Sequence, residues 1–475
     1  MSAVDIAPDQ QAKRAATSSA ARFAAGAAAI VALGALYALE HPFPGIDGDS
    51  KIYMGRALAD IDASGVGRDL MFRLDGQSQF SLFTPAARWL VAHLPLAISA
   101  ALIAAIGGLL WFCGAIALTR QAVPGGALAA TAVLFAAPAV YGPYRLLFCA
   151  ETLAEPRPYA EAVTLLALAA FLAGRLVPSL ALLAIAAAIH PIMALAGVAA
   201  IGLTLCIDDR RWLLLAIVGA LALAAAVLLD APMAGRLRIL VDPQWLALLL
   251  DRNAYLFPHL WKSEDFVLPA VQGGTILIAA NRAEGRLKRL LYTGLAAGLI
   301  GVFVAWIAGA FLPSLLLLQA QTWRMWWLTG VFAALSLGMC AVGAAKGGAR
   351  DKFALAMVAF AWTMASQGPI VFVALGIAIS QKTATYTWLC LAAAVVIPAL
   401  VMLFKWLELP GQADYAPAFT KRMLAVLGDA ILLGAIALTA FGWPKPLPRI
   451  SQVAALALSL VVAIVGARLW FDPDS

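Results

Sequence analysis

Long apolar stretches, rich in Ala and Leu, alternate with short polar segments along the chain. Backbone N–H and C=O groups inside hydrocarbon must be satisfied within the segment itself, so stretches of this length predict spanning helices rather than barrel strands. The pattern predicts spans near residues 22–40, 96–118, 124–141, 160–174, 177–190, 192–207, 212–229, 264–280, 290–311, 326–345, 353–366, 369–381, 385–404, 422–441 and 450–470.

Composition agrees with this pattern. Of the 475 residues, 63% are hydrophobic and only 12% are charged, which excludes an ordinary globular protein. We therefore predict an all-α polytopic membrane protein with about 13 to 15 transmembrane or partial helices. The windows 177–207 and 353–381 each fit either a pair of short helices or one bent helix.

Basic residues predict the orientation and the division of the chain. Lys and Arg precede the first span and recur in alternate connections, so those connections and the N terminus are expected on the cytoplasmic side of the inner (plasma) membrane. The outer loops are then 41–95, 142–159, 230–263 and 312–325. We expect a disordered cytoplasmic tail at 1–20, a catalytic core at 21–330 and further transmembrane helices at 331–475.

The first outer loop begins with GIDGDSKIYMGRALADI, residues 45–61. Asp49 stands where a helix N-cap is expected, and Met54, Leu58 and Ile61 follow at helical spacing, which predicts an interfacial amphipathic helix. In a purely structural interpretation, Asp47 forms a turn, Asp49 caps the helix and neither does chemistry. A functional interpretation needs further charged or polar residues on the same predicted outer face of the membrane.

A second charged group lies in the second outer loop, where Arg145, Glu151, Glu155, Arg157 and Glu161 fall within one short connection. Their simplest interpretation is mutual pairing of interfacial charges. Together with the carboxylates of the first loop, they also place acidic and basic groups together on the outer face.

Two more features are predicted on that face. His190 precedes Pro191 between two apolar runs, where it is either a turn residue or part of a cavity lined by freed backbone groups. Arg324 adjoins Trp326 and Trp327 and either extends to the interface or binds a lipid-linked phosphate, since a planar guanidinium suits phosphate oxygens.

The sequence resembles the type C (GT-C) superfamily of polytopic membrane glycosyltransferases, which use polyprenyl-phosphate-linked sugars. The resemblance rests on Asp47-Gly-Asp49 with Tyr53 after the first span, on Phe83-Thr-Pro85 before the second, on the Glu-containing second loop and on Gln321-Thr-Trp-Arg324. It covers about residues 20 to 330, and the first-loop motif is DGD where a DE or DD pair is usual.

The resemblance implies roles for individual residues. Asp49 or Asp47 would be the catalytic carboxylate, acting as general base on the acceptor hydroxyl or holding a divalent ion, Mg or Mn, as in metal-dependent members. Arg324 would neutralise the phosphate leaving group. The residues expected to bind substrate are Glu151, Glu155, Arg157, His190, Arg324, Gln321 and Tyr53.

We therefore expect an enzyme that moves a sugar from a polyprenyl-phosphate donor to an envelope glycan, lipid or protein acceptor on the outer face, without nucleic acid as a partner. One alternative is a polysaccharide flippase or secondary transporter, in which Asp49, Glu151, Glu155 and His190 bind cations or substrate. Another is an O-antigen polymerase or ligase using outer-loop Arg and His.

Overall fold

The structure is a computed structural model and describes residues 24, 26–75, 81–138, 140–231, 234–363, 432 and 436. The expected tail at 1–20 and the spans expected from 369 onward lie outside the described residues, apart from positions 432 and 436. The described chain is mostly helical. Its α-helices are α1 (Gly26–Glu40), α2 (Ser50–Ile61), α3 (Leu70–Arg73), α4 (Phe83–His93), α5 (Leu96–Ala122), α6 (Ala127–Ala136), α7 (Arg157–Leu172), α8 (Leu176–Ile189), α9 (Pro191–Asp208), α10 (Arg211–Leu228), α11 (Pro243–Arg252), α12 (Val267–Arg282), α13 (Gly285–Ala310), α14 (Leu315–Ala320), α15 (Trp326–Lys346) and α16 (Ala349–Thr363).

Helices occupy the predicted spans up to residue 363, with boundaries shifted by a few residues. By length and composition, α5, α9, α10, α13 and the stretch Leu315–Lys346 are each long and apolar enough to cross a membrane, while α1, α6 and α8 are apolar but shorter. None of the side chains of α10 is buried. These helices are compatible with an all-α membrane protein, as the composition predicts.

The window 177–207 is a pair of helices. Helix α8 ends at Ile189 and α9 begins at Pro191, so the chain breaks at His190. Proline favours the first position of a helix because it lacks the N–H that would be unpaired there. Of the two interpretations of this window, the structure therefore has the pair of short helices.

Close helix packing depends on glycines. A Cβ atom added to Gly114 of α5 would lie 2.8 Å from the carbonyl oxygen of Ala162 in α7, and one added to Gly338 of α15 would lie 2.8 Å from that of Ala130 in α6. Small residues allow helix backbones to approach in this way, as they do in membrane bundles. They bring α7, which carries the charged end of the second loop, against α5.

The four predicted outer loops meet at one end of the bundle formed by α5 and the later helices. Leu82 N–H of the first loop donates to the carbonyl of Ala188, at the end of α8, over 3.0 Å. Val241 N–H of the third loop donates to Pro313 of the fourth over 2.9 Å. The second loop forms a hairpin of β1 (Val140–Tyr141) and β2 (Leu147–Phe148), and its Gly142 lies against the ring of Trp323.

The predicted cytoplasmic connections meet at the opposite end of the helices. Arg282 pairs with Asp351 at 2.9 Å, Arg289 pairs with Asp208, and Arg286 Nη1 donates to the carbonyl of Phe171 over 3.0 Å. The alternation predicted from Lys and Arg therefore divides the loops into two groups, and loops of the same group contact one another. Which group faces the cytoplasm stays a prediction.

Gly114→Ala is expected to destabilise the protein by about 1 to 3 kcal/mol, because its Cβ would meet backbone atoms that cannot turn away. Gly219→Ala, in α10, is the matched control, since nothing lies within 4 Å of the added Cβ. Alanine favours a helix over glycine by about 1 kcal/mol, so this control should be neutral or stabilising. Thermal unfolding of the detergent-solubilised variants measures the difference, and equal melting temperatures would show that this α5–α7 contact is not close.

Candidate functional site

The centre of the site is the guanidinium of Arg157, the first residue of α7. Its Nε and Nη2 donate to the two carboxylate oxygens of Glu155, each over 2.7 Å. Nη2 also lies 2.6 Å from Glu151 Oε2 and 3.1 Å from Asp49 Oδ2. Charges of the second loop therefore pair with one another, as their simplest interpretation expects, but the same guanidinium also binds a carboxylate of the first loop.

Burial decreases outward across this cluster. The side chain of Glu155 is 0% exposed and that of Arg157 is 4% exposed, whereas that of Asp49 is 42% exposed. A fork-shaped pair between Arg and a carboxylate fixes both groups geometrically. The buried pair thus forms a rigid base, and Asp49 presents the cluster to the surface.

Glu161, one helical turn along α7, holds the loop that carries Glu151. Its Oε2 accepts from the backbone N–H of Ala150 and from Trp111 Nε1, each over 2.9 Å. Ala150 has a φ of 58°, a left-handed conformation that a non-glycine residue adopts only when its surroundings impose it. The carboxylate of Glu161 supplies that constraint, and the loop then turns Glu151 toward Arg157.

Asp49 does not act as the expected helix cap. It is positioned at the N terminus of α2, but among the described residues its side chain accepts no capping hydrogen bond from that helix. Its backbone is already in the right-handed helical region, with φ −67° and ψ −20°, whereas a capping residue is normally extended, and its carboxylate contacts Arg157 instead. The predicted amphipathic helix itself is present, with Met54 and Ala57 on its buried face.

Asp47 lies apart from the cluster. Its carboxylate accepts from Lys51 Nζ over 2.6 Å, and both side chains are 65% exposed. The hydrogen bond from Lys51 lowers the pKa of Asp47 below its usual value. Of the two carboxylates in the DGD motif, the structure therefore brings only Asp49 to Arg157.

Tyr53 is subject to charges from three outer loops. Burial is the largest of the effects that raise the pKa of Tyr53 to about 12, and the charges of Glu155, Arg157, Asp49 and Arg324 also act on that pKa. Electrostatic interactions weaken with distance and are screened by solvent, so these charges belong to the surroundings of Tyr53. Residues from the first, second and fourth outer loops thus share one neighbourhood.

Aromatic packing fixes Tyr53. Its ring meets that of Phe83 edge to face with centroids 5.6 Å apart, and Phe83 in turn meets Tyr159 of α7 at 6.0 Å. Phe83 begins α4, so the Phe83-Thr-Pro85 segment lies beside the site.

His190 is a helix cap that borders the same neighbourhood. Its Nδ1 accepts from the backbone N–H of Met193 over 3.4 Å at the start of α9, in agreement with the turn-residue interpretation. Burial, together with smaller effects of the positive charges of Arg324 and Arg157, lowers the pKa of His190 to about 3. The imidazole is therefore neutral at physiological pH.

Arg324 is held by its own loop. Its Nε donates to Gln321 Oε1 over 2.8 Å, and its guanidinium carbon lies 5.8 Å from the ring centroid of Trp323. Gln321 adopts a left-handed conformation with a φ of 43°, which turns its side chain back toward Arg324. Gln321 is thus a partner of Arg324. Whether the guanidinium also reaches the interface or binds a phosphate stays a prediction.

Trp323 is fully buried and connects three outer loops. Its ring lies 5.7 Å from that of Trp261, 6.3 Å from that of Tyr141 and 6.5 Å from that of Tyr255, measured between centroids. Tyr255 and Trp261 thereby hold the third loop against the segment that carries Arg324.

The two buried glutamates differ in protonation. Burial and the adjacent Glu155 raise the pKa of Glu151 well above its usual value. Burial also opposes ionisation of Glu155, but the bidentate contact with Arg157 outweighs it and lowers the pKa of Glu155. Arg157 therefore favours the ionised form of Glu155, whereas Glu151 retains its proton to higher pH than an ordinary glutamate.

The carboxylates of the site are arranged around cationic side chains. Within the described residues, no group of three or more His, Cys, Asp or Glu side chains is arranged to hold a metal ion. The carboxylates of the cluster converge on the guanidinium of Arg157, and Asp47 and Asp49 contact different cations, Lys51 and Arg157.

Sequence reasoning missed the anchors of this site. In the sequence, Glu161 is one of several charged residues near the second loop, but in the structure it fixes the main chain of that loop. No sequence pattern described above indicates Gln272 of α12, which donates to the carbonyl of Val140 and accepts from Trp326 Nε1. A polar residue inside an apolar run is the signal that could have identified both residues.

Comparisons with protein-family models, curated proteins and solved structures found no match to this chain.

Arg157→Gln is expected to destabilise the protein by about 3 to 5 kcal/mol, because it leaves the buried carboxylate of Glu155 without a counter-ion. Arg238→Gln is the control, since Arg238 pairs with Asp230 on the surface and such pairs contribute about 1 kcal/mol or less. Adding Glu155→Gln to Arg157→Gln should recover part of the loss. Denaturant or thermal unfolding tests this order, and similar losses for both arginine variants would contradict it.

The pH dependence of stability should reveal the two glutamates separately. Glu151 has a raised pKa, so its contribution is present below its ordinary value of 4.5 and is lost as the pH rises through its folded value. Glu155 has a lowered pKa, so its contribution is lost only as the pH falls below 4.5. Glu151→Gln, which mimics the protonated form, should therefore abolish the loss that develops as the pH rises above 4.5 and keep the loss at acid pH.

Thermal unfolding of wild type and Glu151→Gln across acid, neutral and alkaline pH makes this comparison. A wild-type protein whose loss of stability above pH 4.5 persists unchanged in Glu151→Gln would show that the pKa of Glu151 is not raised.

Proposed function

We propose that this chain is a membrane glycosyltransferase of the GT-C type, which moves a sugar from a polyprenyl-phosphate donor to an acceptor hydroxyl on the outer face of the inner membrane. The observation that carries the proposal is the convergence of an acidic cluster and a separate guanidinium, Arg324, around Tyr53 and His190. Transfer between a hydroxyl and a phosphate-linked carbon needs both a base and a positive charge at the leaving group.

Asp49 is the proposed base. It is the most exposed carboxylate of the cluster, so an acceptor can reach it, and Arg157 fixes its position. Asp47, with its carboxylate on Lys51, takes no part in this proposal. The acceptor oxygen forms its bond to the anomeric carbon of the donor sugar while its proton passes to Asp49.

Arg324 is the proposed partner of the departing phosphate. The bond between the anomeric carbon and the phosphate oxygen breaks, its electron pair stays on that oxygen, and polyprenyl phosphate leaves. Gln321 and Trp323 hold the guanidinium before the charge develops, which is the arrangement that stabilises a transition state most. Neutral His190 adds no competing positive charge and leaves Arg324 to neutralise the phosphate.

The alternative class, a carrier, draws support from the burial of Glu151 and Glu155, because buried carboxylates accompany proton coupling in transporters. These groups lie at the loop end of α7, however, and are bound to Arg157. Transfer chemistry accounts for Asp49 and Arg324 together, and we prefer it for that reason.

The direct test assays release of polyprenyl phosphate by purified protein from a panel of polyprenyl-phosphate sugars. Asp49→Asn and Arg324→Ala should each reduce release by about 100-fold or more, since each removes a group acting in the transition state. Asp251→Asn and Arg252→Ala are matched controls. The side chains of this surface ion pair are each 75% exposed, and neither residue belongs to the cluster. Their activity should stay within about twofold of wild type.

Folding of every variant is checked by its melting temperature, so that lost activity is not mistaken for lost structure. Release that survives both Asp49→Asn and Arg324→Ala would refute the mechanism. A folded wild-type protein that releases nothing from any donor, but transports a polyprenyl-linked sugar in vesicles, would establish the carrier instead.

A further inference from the structure

The acidic cluster carries more negative than positive charge. Asp49, Glu151 and Glu155 surround the single guanidinium of Arg157. Even when Glu151 is left out of the count, two carboxylates face one guanidinium, so the cluster keeps a negative charge. Arg324 is held by Gln321 and Trp323 and, among the described residues, forms no ion pair with these carboxylates.

The same cluster holds a buried donor without an acceptor. Among the described residues, Arg157 Nη1 and the hydroxyl of Tyr141 are both buried and have no hydrogen-bond partner. Nη1 belongs to the guanidinium whose Nη2 touches all three carboxylates, and Tyr141 is close enough to affect the pKa of Arg157. An unpaired buried donor is destabilising, and a ligand oxygen placed there would supply the missing acceptor.

We infer that this cluster is the acceptor subsite and that it selects a neutral or amine-bearing sugar, whose hydroxyl donates to Asp49 and accepts from Arg157 Nη1. A carboxylate or phosphate beside that hydroxyl would face the uncompensated negative charge and is rejected. The inference rests on the proposed function, because it names the substrate class of that site. It requires a hydroxyl that both donates and accepts, as sugar hydroxyls do.

The two halves of the reaction then occupy regions of opposite charge. A donor phosphate is drawn to Arg324 and repelled by the carboxylates, so it cannot enter the acceptor subsite. A neutral sugar meets no such repulsion at Asp49. The charge distribution thus directs the donor and the acceptor to different parts of the site without a moving element of the protein.

Binding without a donor tests the inference independently of turnover. The probes are methyl glycosides in matched sets of three, a neutral hexoside, its 2-amino analogue and its uronate, in the gluco, galacto and manno series. Full-length protein in nanodiscs is titrated with each probe at fixed ionic strength. In at least one series, the neutral and amino glycosides should bind about tenfold or more tightly than the uronate.

Asp49→Asn removes the exposed negative charge. It should reduce the ratio of the uronate's Kd to the neutral glycoside's Kd at least threefold. Asp251→Asn, which changes an exposed carboxylate outside the cluster, should leave the ratio unchanged. A uronate that binds as tightly as the neutral glycoside, or neutral glycosides that do not bind in any series, would overturn the inference. Selective binding without release of polyprenyl phosphate would instead overturn the proposed function and leave the charge selection standing.

Discussion

The site depends on one buried guanidinium. Arg157 is nearly inaccessible to solvent, so its charge must be balanced by protein groups, and the carboxylate of Glu155 does so through two parallel hydrogen bonds. The same Nη2 that donates to Glu155 also reaches Asp49 from the first outer loop. A buried ion pair adds little net stability, but it fixes geometry, and here it fixes how two distant loops meet.

This constraint determines the different properties of the charged residues in the site. The pKa of Glu151 is raised because its carboxyl is buried beside Glu155, and Asp49 is exposed because it stands at the edge of the cluster. Arg324 is held in a different loop, and its charge also acts on Tyr53. The acidic half and the basic half are thus built independently and brought together by helix packing.

Much of the fold could be predicted because hydrophobic runs and Lys and Arg positions report directly on helices and loop ends. The break at His190 and the helix after Asp49 were also readable from Pro191 and from helical spacing. The side-chain partners could not be predicted in this way. Asp49 satisfied every rule for a helix cap, yet its partner lies more than a hundred residues away, and no local pattern encodes that contact.

The central claim is that Asp49 and Arg157 act on one another, and a double-mutant cycle measures this most directly. Free energies of unfolding are compared for wild type, Asp49→Asn, Arg157→Lys and the double variant, with Asp47→Asn replacing Asp49→Asn in a parallel cycle. We predict a coupling free energy of about 1 kcal/mol or more for Asp49 with Arg157 and none within error for Asp47. Equal coupling in the two cycles, or none in the first, would contradict the account.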